Sequence, residues 1–167
     1  VVVRNNIGEG LVIAETSDGI NTDLSHIMHS SVTSDYSGES VKHGVYSAIN
    51  GRMIEGLVKQ MRFTKVFGVD VLYAITNNST VRINTLDYTY GGMNGDLFFS
   101  GSGSVKPQAL GGIVQGDIFI ADGKLTGTYL GAARKIGLPF DFPFVVPDHV
   151  ALNGYNTYPP VRINFYD

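Results

Sequence analysis

The chain has 167 residues, a net charge of −3, 16% charged residues, 21 glycines and no cysteine. That length is one domain's worth and buries a core without metals or disulfides. The missing cysteine excludes disulfides, thiolate zinc sites and cysteine nucleophiles, and the charge balance supplies no basic face for a phosphate backbone, so nucleic acid is not an expected partner.

In chain order, Val1-Val2-Val3 is β-branched and apolar and is expected to pair as a strand, either in the domain's own sheet or donated to a neighbouring subunit. The absence of an initiator Met before Val1 and of a basic-plus-apolar leader predicts a processed, exported product, extracellular or at the cell surface. Leu11–Ala14 reads as a strand. From Glu15 to Ser40 the apolar pattern fades, so a loop is expected, and long loops in compact domains often carry function. Ser40 reads as a helix N-cap, followed by Val41, Val45, Ala48 and Ile49 at helical spacing, so a helical segment is expected near 40–62 with a break near Asn50-Gly51.

From residue 63 to 167 a β core is expected. Val69–Ile75 is an apolar run, Asn77-Asn78 a turn, and Val81–Asn84 alternates with period two. Leu86, Tyr88 and Tyr90 alternate on the other parity, which predicts a bulge near Thr85. Asn77 and Asn78 also open overlapping N-glycosylation sequons. Gly95–Phe99 is echoed by Gly116–Ile120, and Asp122-Gly123 is a two-residue hairpin signal flanked by β-formers. The Leu138–Phe144 stretch alternates rings with prolines, fit for an edge. Val161–Phe165 repeats the Val-Arg-Ile-Asn of residues 81–84, as two strands of one sheet could. The fold class expected is a mainly β domain over 1–167, an antiparallel barrel or two-layer sandwich of about eight to ten strands. No apolar run approaches the roughly 18 residues of a membrane-spanning helix.

His26, His29 and His43 fall close together. On a helical turn, His26 and His29 would face one way and could hold a metal or a haem iron, with Met28 a further soft ligand. The alternative is two solvated loop histidines and one near a helix start. Asp23, Ser25 and His26 are the types of a nucleophilic triad, but such triads are assembled from separated parts of a fold. Tyr88 and Tyr90 offer an amphipathic recognition surface or are ordinary sheet residues.

Gly127-Thr128-Tyr129-Leu130-Gly131-Ala132-Ala133-Arg134-Lys135-Ile136-Gly137-Leu138-Pro139-Phe140 resembles the closing hairpin of small Gram-negative lipoprotein barrels, the type of transferrin-binding lipoprotein B, factor H-binding protein and haemophilin. Gly95–Val105 and Gly112–Ile120 are similar in style to strands of that barrel. The resemblance covers about residues 95–144 and implies a secreted or surface binding protein for haem or another host-derived ligand, with His26, His29, His43, Met28, Tyr88 and Tyr90 as candidate contacts. Two other classes stay open. One is an extracellular filament or shell subunit pairing copies of itself through Val1, Val2 and Val3. The other is a small barrel enzyme using a cavity, for which no residue set specifies a reaction.

Overall fold

A computed structural model describes residues 10–32, 36–66, 69–93, 96–97, 107–113, 116–128, 136–139, 149–152 and 163–166. Strands β1 (Leu11–Glu15), β2 (Asp23–His29) and β3 (Glu39–Lys42) form an antiparallel sheet in that order. After helix α1 (Val45–Asn50), strands β4 (Val58–Val66), β5 (Val69–Thr76), β6 (Thr80–Asn84) and β7 (Tyr90–Met93) build a four-stranded meander. A second meander holds β8 (Pro107–Ile113), β9 (Gly116–Ala121), β10 (Lys124–Thr128) and β11 (Ile136–Pro139), and β12 (His149–Leu152) pairs with β13 (Ile163–Tyr166). The fold is mainly β and antiparallel; among the described residues the sheets stay open and layered, with no closed barrel. No helix among them is long and apolar enough to cross a membrane.

The reason β5 reads as an unbroken apolar run is that both of its faces are covered. Val71, Tyr73 and Ile75 pack with Leu97, Leu110, Phe119 and Ala121 on one side. Leu72 and Ala74 pack on the other with Leu24 of β2, Val45 and Tyr46 of α1, and Val81 and Ile83 of β6. The β4–β7 sheet is therefore the middle layer. Gln60 ties it to the second meander by using its side-chain amide as a short strand, donating to the Leu110 carbonyl at 2.8 Å and accepting the Leu110 N–H at 2.9 Å.

Local chemistry sets the turns. Asp122 (φ 52°) and Gly123 (φ 68°) both adopt positive φ, and Lys124 pairs with Ala121, as the Asp-Gly signal requires of a tight hairpin. At Asn77-Asn78, Thr76 Oγ1 accepts the N–H groups of Asn78 and Ser79 at 3.1 and 2.9 Å, leaving both asparagines exposed.

Four expectations are corrected. The 15–40 segment holds strand β2, hidden in the sequence because Asp23, Ser25 and His26 are polar yet buried, which erases the apolar alternation a strand normally shows. The helix is six residues long, not the span from Ser40 to Met61, and Ser40 belongs to β3. Gly44 and Gly51, in the left-handed region at φ 63° and 70°, bound it, so the expected break at Gly51 is where the helix ends. Parity changes after Asn84 because the chain reverses there; the register shift between β6 and β7 lies where Arg82 pairs with Gly92 and Ile83 with Tyr90, not at Thr85. Residues 85–87 form a turn in which Tyr88 N–H donates to the Asn84 carbonyl at 2.8 Å. Finally, the two Val-Arg-Ile-Asn segments contribute to different sheets, β6 and β13. Val1–Val3, Tyr129–Lys135 and Phe140–Phe144 lie outside the described residues, and with them the strand-donation expectation and most of the hairpin that carried the barrel resemblance. Of the Gly95–Phe99 echo only Asp96 and Leu97 are described, in a turn.

Candidate functional site

Strand alternation sorts the candidate residues on two faces of the first sheet. Val12 faces His26 across β1 and β2, and His26 faces Lys42 across β2 and β3. This even-numbered face packs toward the middle layer. Ser25, Ile27 and His29 point the other way, onto an outer face where Leu11 and Val41 are exposed and stand in register with Ile27. On a strand, the i, i+3 spacing of His26 and His29 therefore separates them, the reverse of what a helical turn would do.

Between the inner face and the middle layer lies a groove of about 640 Å³, within the roughly 300–1,000 Å³ typical of small-molecule sites. Gly10, Val12 and His26 form one wall. Met61 and Phe63 of β4 and Asp70 and Leu72 of β5 form the second, and Thr85, Leu86 and Tyr88 close one end. The apolar side chains come together because Met61 pairs with Ala74 and Phe63 with Leu72 in the β4–β5 register, which aims both across the same face. Phe63 and Leu86 are 61% and 59% exposed, unusual for large apolar groups flanking one opening.

His26 is the polar feature of the floor. It is 2% exposed, its Nδ1 has no hydrogen-bond partner, and the Tyr88 ring meets it edge-on at 5.9 Å between centroids. A Cβ built on Gly10 would stand 2.3 Å from His26 Nε2, so the imidazole packs against the Gly10 backbone in the space a side chain would need. Burial, and secondarily the charge of Lys42, hold the His26 pKa below its ordinary 6.5, so the ring is neutral at pH 7. Tyr88 is 3% exposed and holds a left-handed backbone at φ 57°, a strained conformation for an aromatic residue. Burial raises its pKa, and the phenol is protonated.

The neutral histidine has a measurable consequence. Below pH 6.5 the unfolded chain takes up a proton that folded His26 resists, so folded-state stability falls as pH drops from 6.5 toward the depressed folded value. Urea midpoints at pH 7.5 and 5.5 should fall more steeply in the wild type than in His26→Leu. Parallel slopes would show that the ring titrates normally in the folded protein.

The remaining candidates sit elsewhere. His29 Nδ1 accepts the Ser31 N–H at 3.1 Å, and Met28 pairs with Ser40 near the end of β2. Tyr90 carries Arg52 over its ring at 4.9 Å, and its N–H donates to Asn50 Oδ1 at 2.7 Å. None of the three lines the groove. His43 belongs to a polar cluster at the start of α1, where its Nδ1 lies 2.9 Å from both Ser25 Oγ and Glu15 Oε2. Hydrogen bonds from Ser25 and then His43 keep the Glu15 pKa below its usual range. Glu15 also accepts the Gly44 N–H at 3.0 Å, and Asp23 accepts the Ser47 N–H at 3.1 Å, so two carboxylates from neighbouring strands cap the helix that Gly44 itself cannot. This is not a nucleophile's geometry. A serine activated by a His–Glu pair faces the imidazole nitrogen opposite the carboxylate, whereas here both oxygens compete for one nitrogen. Ser25 and His26, moreover, point to opposite sides of β2.

The three histidines do not converge, and among the described residues no lysine or arginine lines the groove. His26 and Tyr88 are the sequence-selected residues that do meet there. Gly10, Met61, Phe63, Leu72 and Leu86 carried no site signal of their own; Leu86 read only as part of an alternation with Tyr88 and Tyr90. The chain matches no known protein family and no curated protein.

Proposed function

We propose that this protein is a non-catalytic binding protein whose site is the groove between the first sheet and the middle layer, and that it takes up a small, mainly apolar molecule. The observation that carries this reading is the pair Phe63 and Leu86, two large exposed apolar side chains on one 640 Å³ groove. Leaving such groups in water forgoes about 1.5–3 kcal/mol each relative to burial, and a bound apolar molecule recovers part of that. The neutral His26 and Tyr88 below supply orientation without charge. The Ser25–His43–Glu15 cluster, oriented for capping, gives no support to a hydrolytic reading.

N-phenyl-1-naphthylamine, whose emission rises in apolar surroundings, tests this directly. Titration into the wild type should give a blue-shifted, saturable increase. Leu86→Asp, a change at an exposed position that leaves the core intact, should weaken binding about tenfold or more by placing a charge at the opening. A wild type that leaves the probe's emission unchanged, or a Leu86→Asp variant that binds it as well, defeats the proposal.

A further inference from the structure

The lining of the groove specifies more than size. The described walls contain one acidic residue, Asp70, and no lysine or arginine. Lys42 stands beside His26 in the β2–β3 register but does not line the groove. A carboxylate or sulfonate entering this space would lose its water without a cation among the described lining residues to replace it, and would meet Asp70 as well. Burial keeps His26 neutral, so it too offers an anion no charge.

What His26 offers is hydrogen bonding. Its imidazole carries one N–H and one lone pair, lines the groove, is 2% exposed and has no partner at Nδ1. A hydroxyl both donates and accepts, so it can partner the ring whichever nitrogen holds the proton. Around this point the walls are aliphatic and aromatic, with Val12, Met61, Phe63 and Tyr88 within the same lining, surfaces suited to the faces of a flat ring system.

We infer that the groove selects an uncharged, mainly apolar ring compound bearing a hydroxyl, which hydrogen-bonds to the His26 imidazole in the groove wall. This rests on the groove being the binding site and names the class of molecule it takes.

Three ligands sharing one skeleton test it at pH 7 by calorimetry: 2-naphthol, naphthalene and naphthalene-2-carboxylate. The wild type should bind 2-naphthol about tenfold or more tightly over the carboxylate and about fivefold over naphthalene, the net worth of one hydrogen bond. His26→Leu should reduce 2-naphthol to the affinity of naphthalene. Should that variant not fold, the wild type labelled with ¹⁵N-histidine still decides, because 2-naphthol must shift the His26 ring-nitrogen resonances and naphthalene must not. Equal affinity for the hydroxyl and carboxylate compounds, or 2-naphthol binding that leaves the His26 nitrogens unmoved, overturns the inference. If N-phenyl-1-naphthylamine still binds in that case, the groove remains a site and only its selectivity is lost; if it does not, both readings fall together.

Discussion

Replacing Phe119 with alanine should destabilise the protein by about 4 kcal/mol, read as a fall of roughly 10 °C in Tm. Phe119 is fully buried, and its ring meets Tyr73 edge-to-face at 5.4 Å and 87°. It stands where the second meander closes over β5, among Val71, Ile75, Leu97 and Leu110, and truncation would open a cavity at the contact between two sheets. The surroundings cannot collapse into it easily. Tyr73 and Ile75 belong to a strand held on its other face by Leu72 and Ala74, so a shift that filled the cavity would unpack the opposite side of the middle layer. Phe63→Ala is the matching control: the same atoms are removed from a residue that is 61% exposed, and the cost should stay near the surface range of about 0.5 kcal/mol. If the two variants lost equal stability, Phe119 would not be a core residue and the layered arrangement would be wrong.

That contrast shows which parts of the fold were legible in the sequence. Where a strand buries apolar residues on one or both faces, as β5 and β6 do, or where a turn demands positive φ, as at Asp122-Gly123, residue type and geometry coincide and the element can be read directly. Strand β2 fails that test. Asp23 is spent on helix capping, Ser25 on the Glu15–His43 cluster and His26 on the groove, so three buried positions are polar and the segment resembles a loop. The helix was overextended for a related reason. Val41, Ala48 and Ile49 share helical spacing with Val45, but Val41 lies on a strand and Ile49 is 43% exposed; Val45 and Tyr46 do the packing. Spacing reports a face only after the element type is known.

The site was legible to a smaller degree. His26 and Tyr88 attracted notice as scarce or amphipathic types, yet their meeting depends on a register between β1 and β2 and on the turn after β6, neither of which local pattern encodes. The long-range walls, Met61, Phe63 and Leu72, look like any sheet residues. Among them only Phe63, 61% exposed, marks the groove by its exposure.

Gly10→Ala should damage both the fold and the site, because the added atom must displace the imidazole that packs against residue 10. The added Cβ would lie 2.3 Å from His26 Nε2, 2.9 Å from its Cδ2 and 2.5 Å from the Ile27 carbonyl oxygen. Rotation of the imidazole could relieve the first two contacts but not the third. Ile27 pairs with Leu11 in the β1–β2 ladder, so its carbonyl can retreat only if that end of the sheet opens, and overpacking of this kind costs about 1–3 kcal/mol. Ser17→Ala, in an exposed turn, should change stability by no more than about 0.5 kcal/mol. Any Gly10→Ala protein that remains folded should bind 2-naphthol about tenfold more weakly, since the methyl group pushes the His26 ring out of its position in the groove wall. Urea denaturation and calorimetry on the same preparation separate the two effects. Unchanged stability with unchanged binding would mean that residue 10 does not stand over the histidine, and the groove would lose the polar contact on which its selectivity depends.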